Sequence, residues 1–154
     1  ARAQAQAQSQ AANRSESRSA LSTGSAAASS TTSVPAPPAT ATGQALAQYA
    51  LQFQGYPYVA GGNQPSGWDC SGFVQWVFSQ FGVSLPHYSG AQMSVGSPVG
   101  SIADAAPGDI IVNSQHAAIY IGNGMVINAL NPAQGTQVTS LAVFTSSYVI
   151  RRVL

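Results

Sequence analysis

The sequence predicts an α+β fold in which helices come first and an antiparallel β-sheet follows. Residues 43–53 and 70–81 carry apolar side chains at helical spacing. From residue 107 onward, short apolar runs alternate with turn sequences, which is typical of antiparallel strands. Because the helices and the strands occupy separate parts of the chain, the pattern favours the α+β class over folds in which the two alternate.

Residues 1–42 differ in composition from the rest of the 154-residue chain. They are rich in Ala, Gln, Ser and Thr, and they include a Pro-rich stretch at 34–38. Because residues 1–42 contain few large apolar side chains, burial cannot offset the entropy lost on folding. We therefore expect a disordered linker here and a folded domain over residues 43–154. The alternative is a pro-segment that covers the functional site. The chain begins at Ala1 without a leader, from which we expect a processed product or an excised part of a longer protein.

The two predicted helices are bounded by residues that are typical of helix ends. Thr42 is the expected N-cap of the first helix, which ends at Gly55, and Gly82 ends the second helix. The second helix presents an apolar stripe that we assign to the core: Phe73, Val77 and Phe81. The other elements predicted before the sheet are an extended stretch at 56–62, a loop at 63–68, a loop at 84–88 and a short helix at 89–93.

The predicted sheet contains a hairpin whose turn is Gly122-Asn123-Gly124, a sequence that favours positive φ angles. Asp109 follows Pro-Gly and is expected to cap the turn before the first strand. The predicted strands are 110–112, 117–121, 125–129, 136–140 and 147–153.

Composition excludes several classes of function. Charged residues make up only 6% of the chain against about 25% in an average domain, and the net charge is +1. This balance does not indicate a nucleic-acid-binding surface. One cysteine excludes an internal disulfide and a Cys-rich zinc site. No apolar run reaches the roughly 18–20 residues that span a bilayer. The polar surface must come from Ser, Thr, Gln and Asn, which suits an extracellular protein. We expect a secreted monomer.

Cys70 is the candidate nucleophile. It lies in the first turn of the second helix, where unpaired backbone N–H groups and the helix dipole favour a thiolate. A nucleophilic thiol also needs a base, and His116 precedes a predicted strand. The pair predicts a Cys/His hydrolase.

The predicted hairpin brings a third residue close to His116. With the turn at residues 122–124, His116 lies opposite position 130, and Asn128 can share its face of the sheet. An Asn beside an imidazole sets its tautomer and orientation, as in Cys-His-Asn proteases. We expect the Cys70 helix to pack across the same face, which would bring thiol, imidazole and amide together.

Five motifs in order then resemble the NlpC/P60 cell-wall peptidases. They are Pro-Tyr-Val-Ala-Gly-Gly at 57–62, Asp-Cys-Ser-Gly-Phe-Val at 69–74, Leu-Pro-His-Tyr-Ser-Gly-Ala-Gln at 85–92, Pro-Gly-Asp-Ile at 107–110 and His-Ala-Ala-Ile-Tyr-Ile-Gly-Asn-Gly at 116–124. The resemblance covers about 110 residues, and the 85–92 motif is most similar to the Rip-type endopeptidases of mycolic-acid-bearing actinobacteria.

The resemblance implies a papain-like α+β fold and a cysteine-type D,L-endopeptidase. Such an enzyme cleaves the γ-D-glutamyl–meso-diaminopimelate bond of peptidoglycan stem peptides in the cell wall, without metal or cofactor, in wall remodelling or daughter-cell separation. By position, Cys70, His116 and Asn128 are catalytic. The residues expected to bind substrate are Tyr58, Asp69, Ser71 and Ser89. Other wall hydrolases or a regulatory protein are possible partners.

Two positions depart from the family pattern. The third catalytic position is most often His, sometimes Glu or Gln, and here it is Asn128, which adds no charge. Ala60 replaces an aromatic residue that is often found in the family, which widens that wall of the pocket. The alternatives are a weak or inactive peptidoglycan-binding module and another Cys/His chemistry, such as an amidase or an acyltransferase. His87 has no base-like position in the family and is read as structural or rim-lining.

Overall fold

Helices pack on one face of a six-stranded antiparallel sheet, which confirms the predicted α+β class. The computed structural model describes residues 34–154, of which residues 36–154 form one compact unit. Most of the predicted linker or pro-segment lies outside the described residues, so that assignment stays a prediction. Within the described part, residues 34–42 contain no helix or strand. None of the helices described is long and apolar enough to cross a membrane.

The helices begin where the capping residues predict. Helix α1 spans Gly43–Ala50, and the Oγ1 atom of Thr42 accepts a hydrogen bond from Ala45 N–H at 3.1 Å. Helix α2 spans Cys70–Ser79 and ends two residues earlier than predicted. The chain then turns through Gly82, whose φ of +79° is strained for residues with a Cβ. The short helix α3 spans Ser89–Gln92.

The sheet has the strand order β3-β8-β4-β5-β6-β7. Its strands are β3 (Ser97–Val99), β4 (Ile110–Val112), β5 (Ala117–Gly122), β6 (Met125–Ala129), β7 (Thr136–Ser140) and β8 (Val149–Arg152). Strand β3 was not predicted, since three residues with a central proline show no strand pattern. It forms because it pairs with β8 near the end of the chain.

The prediction of a loop over residues 63–68 is wrong. Strands β1 (Asn63–Gln64) and β2 (Gly67–Trp68) form a small antiparallel hairpin. Two-residue strands are too short to show a period, so local sequence cannot reveal them. Contacts with the rest of the fold stabilise the hairpin, because the indole of Trp68 is buried and its Nε1–H donates to Thr136 Oγ1 at 2.8 Å.

That buried hydrogen bond provides a test of the fold. Thr136→Val keeps the shape of the side chain and leaves the indole N–H of Trp68 without its acceptor. We expect the free energy of unfolding in urea to fall by about 1–3 kcal/mol. Thr145→Val, at an exposed position, is the matched control and should change little. Equal stability of the two variants would contradict this account of the hairpin.

Asp109 caps its turn as predicted and also holds the end of the sheet. Its Oδ2 atom accepts from the backbone N–H of Ala106 at 2.8 Å. Both carboxylate oxygens also accept from the guanidinium of Arg152, at 2.9 and 2.7 Å, and the carboxylate is almost fully buried. This pair joins the start of β4 to β8, a contact that the sequence did not indicate.

The β5–β6 hairpin has the predicted register. Ile119 pairs with Ile127, and a one-residue shift follows where Gly122 pairs with Met125. Ile119 and Ile127 belong to the hydrophobic cluster that packs against the helices. Asn128 is adjacent to Ile127 on the same strand, so its side chain lies on the other face of the sheet.

The expectation that the Cys70 helix packs across the face of Asn128 is therefore wrong. The buried side of α2 packs in the cluster that contains Ile119 and Ile127. The opposite face of the sheet carries a second cluster, which includes Phe144. Cys70, the first residue of α2, can instead approach His116 only at the start of strand β5.

Candidate active site

Cys70 is the first residue of α2, and its side chain is partly exposed. Backbone N–H groups of Ala117, Ser71 and Cys70 itself lie close enough to the sulfur to lower the pKa of the thiol, and the contribution of Ala117 is the largest of the three. Ala117 directly follows His116 in the chain. The start of α2 and the start of β5 therefore meet at the sulfur.

The net pKa of the Cys70 thiol is nevertheless raised. Burial is the largest cause and outweighs the backbone N–H groups, and the neighbouring Asp69 carboxylate raises the pKa further. The expectation that the helix start favours a thiolate is right for the local N–H groups and wrong for the net shift. The resting thiol is protonated at neutral pH, so its reaction requires a base.

His116 is oriented by Asn128. The Nε2 atom of the imidazole lies 2.7 Å from Asn128 Oδ1. The Nδ2 group of that amide donates to Gln137 O at 3.0 Å and to Thr139 Oγ1 at 3.3 Å, so its oxygen must be the atom that faces the ring. Since an oxygen can only accept, Nε2 carries the proton and Nδ1 is left as the basic atom.

The surroundings of His116 favour the neutral imidazole. Burial lowers the pKa of His116 below its usual value, and the hydrogen bond with Asn128 opposes this shift only in part. The ring of Phe144 packs edge-on against the imidazole, with centroids 5.2 Å apart. A neutral imidazole is the form that can accept a proton and so act as a general base.

A short turn before β5 holds the backbone of His116. The Oδ1 atom of Asn113 accepts from the N–H groups of Gln115 and His116, both at 2.8 Å. The other side-chain atom, Nδ2, donates to Ser146 Oγ at 3.2 Å, which connects the turn to the loop that carries Phe144. Sequence analysis missed both Asn113 and Phe144. An Asn three residues before the His is a recognisable turn pattern, whereas Phe144 has no local pattern at all.

Asp69 is engaged by several donors of its own chain. Its Oδ1 atom accepts from Gly72 N–H at 2.7 Å, which caps α2, and also from Ser71 Oγ at 3.3 Å and His87 Nε2 at 3.1 Å. Its Oδ2 atom accepts from Gly61 N–H at 3.1 Å. The carboxylate thus joins the 57–62 stretch, helix α2 and the 85–92 segment.

Gly72 allows the chain to approach α2 closely. A Cβ atom at this position would lie 2.0 Å from the carbonyl oxygen of Gly62. That same oxygen accepts from Asp69 N–H at 3.0 Å. The glycine of the Asp-Cys-Ser-Gly motif is therefore required by the packing of the 57–62 stretch against the helix start.

The residues predicted to bind substrate lie in three parts of the chain: before α2, at its first turn and at the start of α3. Tyr58 is half-buried, and its pKa is raised, chiefly by burial and to a lesser extent by Cys70 and Asp69. Ser71 is buried, and its hydroxyl donates a hydrogen bond to the carboxylate of Asp69. Ser89 donates its hydroxyl to Ser114 O at 3.1 Å. Their contact with substrate stays a prediction.

Among residues 34–154, no group of three or more His, Cys, Asp or Glu could hold a metal ion.

A family model described as NlpC/P60 family matches residues 55–153. The chain belongs to the NlpC/P60 family. Two curated relatives, each named a probable endopeptidase, match part of it. One, from Mycobacterium tuberculosis, is 44% identical over 88 residues, which are 55% of this chain and 23% of that protein. The other, from Corynebacterium glutamicum, is 43% identical over 93 residues, which are 58% of this chain and 44% of that protein.

Solved NlpC/P60 structures have the same fold. The NlpC/p60 domain of the peptidoglycan hydrolase SagA is 32% identical, with a TM-score of 0.66, over 72% of this chain and 99% of that one. The peptidoglycan hydrolase RipB from Mycobacterium tuberculosis is 27% identical, with a TM-score of 0.61, over 71% of this chain and 65% of that one. The predicted family and its Rip-type resemblance are confirmed. The chain spans less than half the length of the two curated relatives.

Proposed function

We propose that this NlpC/P60 protein is a peptidoglycan hydrolase that cleaves the γ-D-glutamyl–meso-diaminopimelate bond of stem peptides. The observation that carries the proposal is the meeting of two elements at one sulfur. Cys70 begins α2, the backbone of Ala117 reaches its thiol, and the preceding His116 is held in one tautomer by Asn128. This arrangement supports acyl transfer through a thioester.

In the proposed mechanism, His116 Nδ1 takes the proton of the Cys70 thiol. The thiolate attacks the side-chain carbonyl of the D-glutamyl residue, and the backbone N–H of Cys70 stabilises the oxyanion. His116 then returns the proton to the leaving amine of diaminopimelate, and the peptide bond breaks. Water attacks the thioester with His116 again as base, which releases the glutamyl carboxylate and restores the thiol.

The proposed substrate site surrounds Cys70. We assign Tyr58 to the pocket wall next to the thiol, since Tyr58 forms a β-bridge with Trp68, two residues before Cys70. Asp69, Ser71 and Ser89 complete the proposed subsite. Because peptidoglycan lies outside the cytoplasmic membrane, the proposal includes a secreted, cell-wall location and a monomer that acts without a metal, alone or beside other wall hydrolases or a regulatory protein.

Digestion of purified muropeptides tests the proposal. The protein is incubated with a disaccharide–tetrapeptide that contains meso-diaminopimelate, and the products are identified by mass spectrometry. We expect one product that ends in D-glutamate and one that begins with diaminopimelate. Cleavage at the bond between the sugar lactyl group and L-alanine would indicate an amidase, and a transferred acyl group would indicate an acyltransferase. Either result would contradict the proposed bond specificity.

A second candidate is a wall-binding module with little or no hydrolytic activity. The observation that favours it is the direction of both shifts: burial raises the pKa of Cys70 and lowers that of His116, and both shifts oppose a thiolate–imidazolium pair. Asn128 supplies no charge to offset this. Alkylation with iodoacetamide near pH 7 separates the two candidates, because a thiol assisted by a base reacts much faster than an inert one. Slow alkylation together with retained binding to peptidoglycan would favour the binding module.

A further inference from the structure

We propose that the 85–92 segment is a positioning element for the thiol and the imidazole, and that Gln92 is its central positioning residue. This inference rests on the proposed function in one respect only, namely that Cys70 and His116 react together. It gives a role to Gln92 and His87, which have none in that reaction so far, and a second role to Ser89, which has been assigned to the substrate site. The segment touches both halves of the site, and each contact is made by a different side chain.

The first contact fixes the nucleophile's helix. The Nε2 group of Gln92 donates one hydrogen bond to Ser71 O at 3.0 Å and another to Pro86 O at 2.9 Å. Ser71 directly follows Cys70, so the first bond ends one residue from the thiol. The side chain is fully buried, and so is its bond to Ser71 O, which is therefore shielded from water. One amide group thus joins the first turn of α2 to both ends of the 86–92 stretch.

The second contact lies on the same side of the site. His87 Nε2 lies 3.1 Å from Asp69 Oδ1, the atom that caps α2. The third contact reaches the other side. Ser89 Oγ donates to Ser114 O at 3.1 Å, and Ser114 lies in the 113–116 turn that ends at His116. Within three residues, the contacts of the segment therefore pass from helix α2, which carries the thiol, to the 113–116 turn, which carries the base.

The unpaired oxygen of Gln92 indicates that the structural role of this amide is to donate hydrogen bonds through its N–H groups. Within the part of the chain that the structure describes, Gln92 Oε1 is the one buried side-chain N or O atom that has no hydrogen-bond partner. A buried polar atom without a partner is unfavourable, and a methionine could fill similar volume without that defect. The position would suit an apolar residue if only packing mattered. What an apolar residue cannot supply is the pair of N–H donors to Ser71 and Pro86.

Short local structure alone cannot hold the segment in place. Helix α3 is a single turn, and its backbone contacts join nearby residues, such as Gln92 N–H to Tyr88 O at 3.0 Å. Single helical turns are not stable by themselves. Buried Leu85, whose carbonyl accepts from Gln75 Nε2 at 2.9 Å, anchors the start of the segment, and the side-chain bonds of His87, Ser89 and Gln92 hold the rest. Conversely, they tie the thiol's helix and the turn of the base to one common support.

Gln92→Met removes the two donors and keeps an unbranched side chain of similar size. A displacement of about 1 Å between reacting groups can cost about 100-fold in rate, so we expect kcat to fall about 10- to 100-fold with KM changed less than about twofold. The rate of alkylation of Cys70 by iodoacetamide at pH 7 should fall in parallel, because it also depends on proton transfer to His116. The control is Ile150→Val, a core change on β8, which is separated from β5 by β4.

Ser89→Ala is a second variant, which tests the contact on the other side. Loss of this hydroxyl at the half-buried first residue of α3 should leave the melting temperature unchanged. A positioning role lowers kcat and the alkylation rate, whereas a role in substrate binding alone raises KM. If both variants keep kcat and alkylation within twofold of the Ile150→Val control, the inference is overturned. If the wild-type protein cleaves no muropeptide, the proposed function fails, and the alkylation rates still decide this inference.

Discussion

Cys70→Ala should abolish cleavage of the muropeptide, with a loss of at least about 10⁴-fold in kcat, because no other thiol is present to form the thioester. Cys70→Ser should be nearly as inactive. The pKa of a hydroxyl lies far above that of a thiol, and a buried imidazole that favours its neutral form is a weak base for it. Product formation is followed by mass spectrometry over hours, so that residual turnover can be detected.

The fold should survive these changes. The Cys70 side chain is only partly buried, and the cap of α2 depends on Asp69 and not on the thiol. Circular dichroism and the melting temperature check this point. Ser79→Ala, at the opposite end of the same helix, is the matched control and should keep full activity. Turnover by a folded Cys70→Ala protein would end the assignment of the nucleophile.

Asn128→Leu should lower kcat/KM about 100-fold or more, since the imidazole loses the acceptor that selects its tautomer. Leucine is close in volume and has no polar atom. The Nδ1 atom of His116 would then carry the proton in part of the molecules, and these could not accept the proton of the thiol. The control is Thr139→Val, which removes only the 3.3 Å contact to the amide and should change kcat/KM little. Equal losses in the two variants would contradict the tautomer argument.

Asn128→Asp should shift the pH dependence in a defined direction. In the wild-type protein burial holds the pKa of His116 below its ordinary value of 6.5, so the acid limb of kcat/KM should have its midpoint below pH 6.5. A carboxylate in place of the amide favours the imidazolium and raises the pKa of His116. The imidazole must be neutral to act as the base, so the acid limb should move to higher pH. A wild-type midpoint above 6.5, or a shift to lower pH in the variant, would contradict this electrostatic account.

The comparison of prediction and structure is clearest at the β5–β6 hairpin. The turn sequence correctly placed Ile119 opposite Ile127 and brought Asn128 within hydrogen-bond distance of His116. Both results follow from a tight turn and the two-residue period of a strand, which are local properties. The face on which α2 packs was predicted wrongly, because it depends on which apolar residues of the sheet remain for the helices to cover. That choice is made by the whole core.

The pKa shifts in the site likewise have one part that local sequence predicts and one part that depends on the whole fold. The position of Cys70 at the start of a helix predicted that backbone N–H groups would favour its thiolate, and such groups do act to lower the pKa of the Cys70 thiol. The extent of burial decides the net shift, and burial comes from elements far away in the chain. Phe144 covers the imidazole although 28 residues separate it from His116. No pattern within either stretch connects them.

The order of residues alone thus determined the family, the class of fold and the three groups of the proposed chemistry, since each depends on short motifs and short-range periodicity. Three-dimensional packing decided where these groups lie and in which direction burial shifts the pKa of the thiol and of the imidazole. It also determined that one buried amide, on Gln92, joins the 85–92 segment to the thiol's helix. Burial and long-range contacts are sums over the entire fold, so they could not be deduced from any single stretch of the chain.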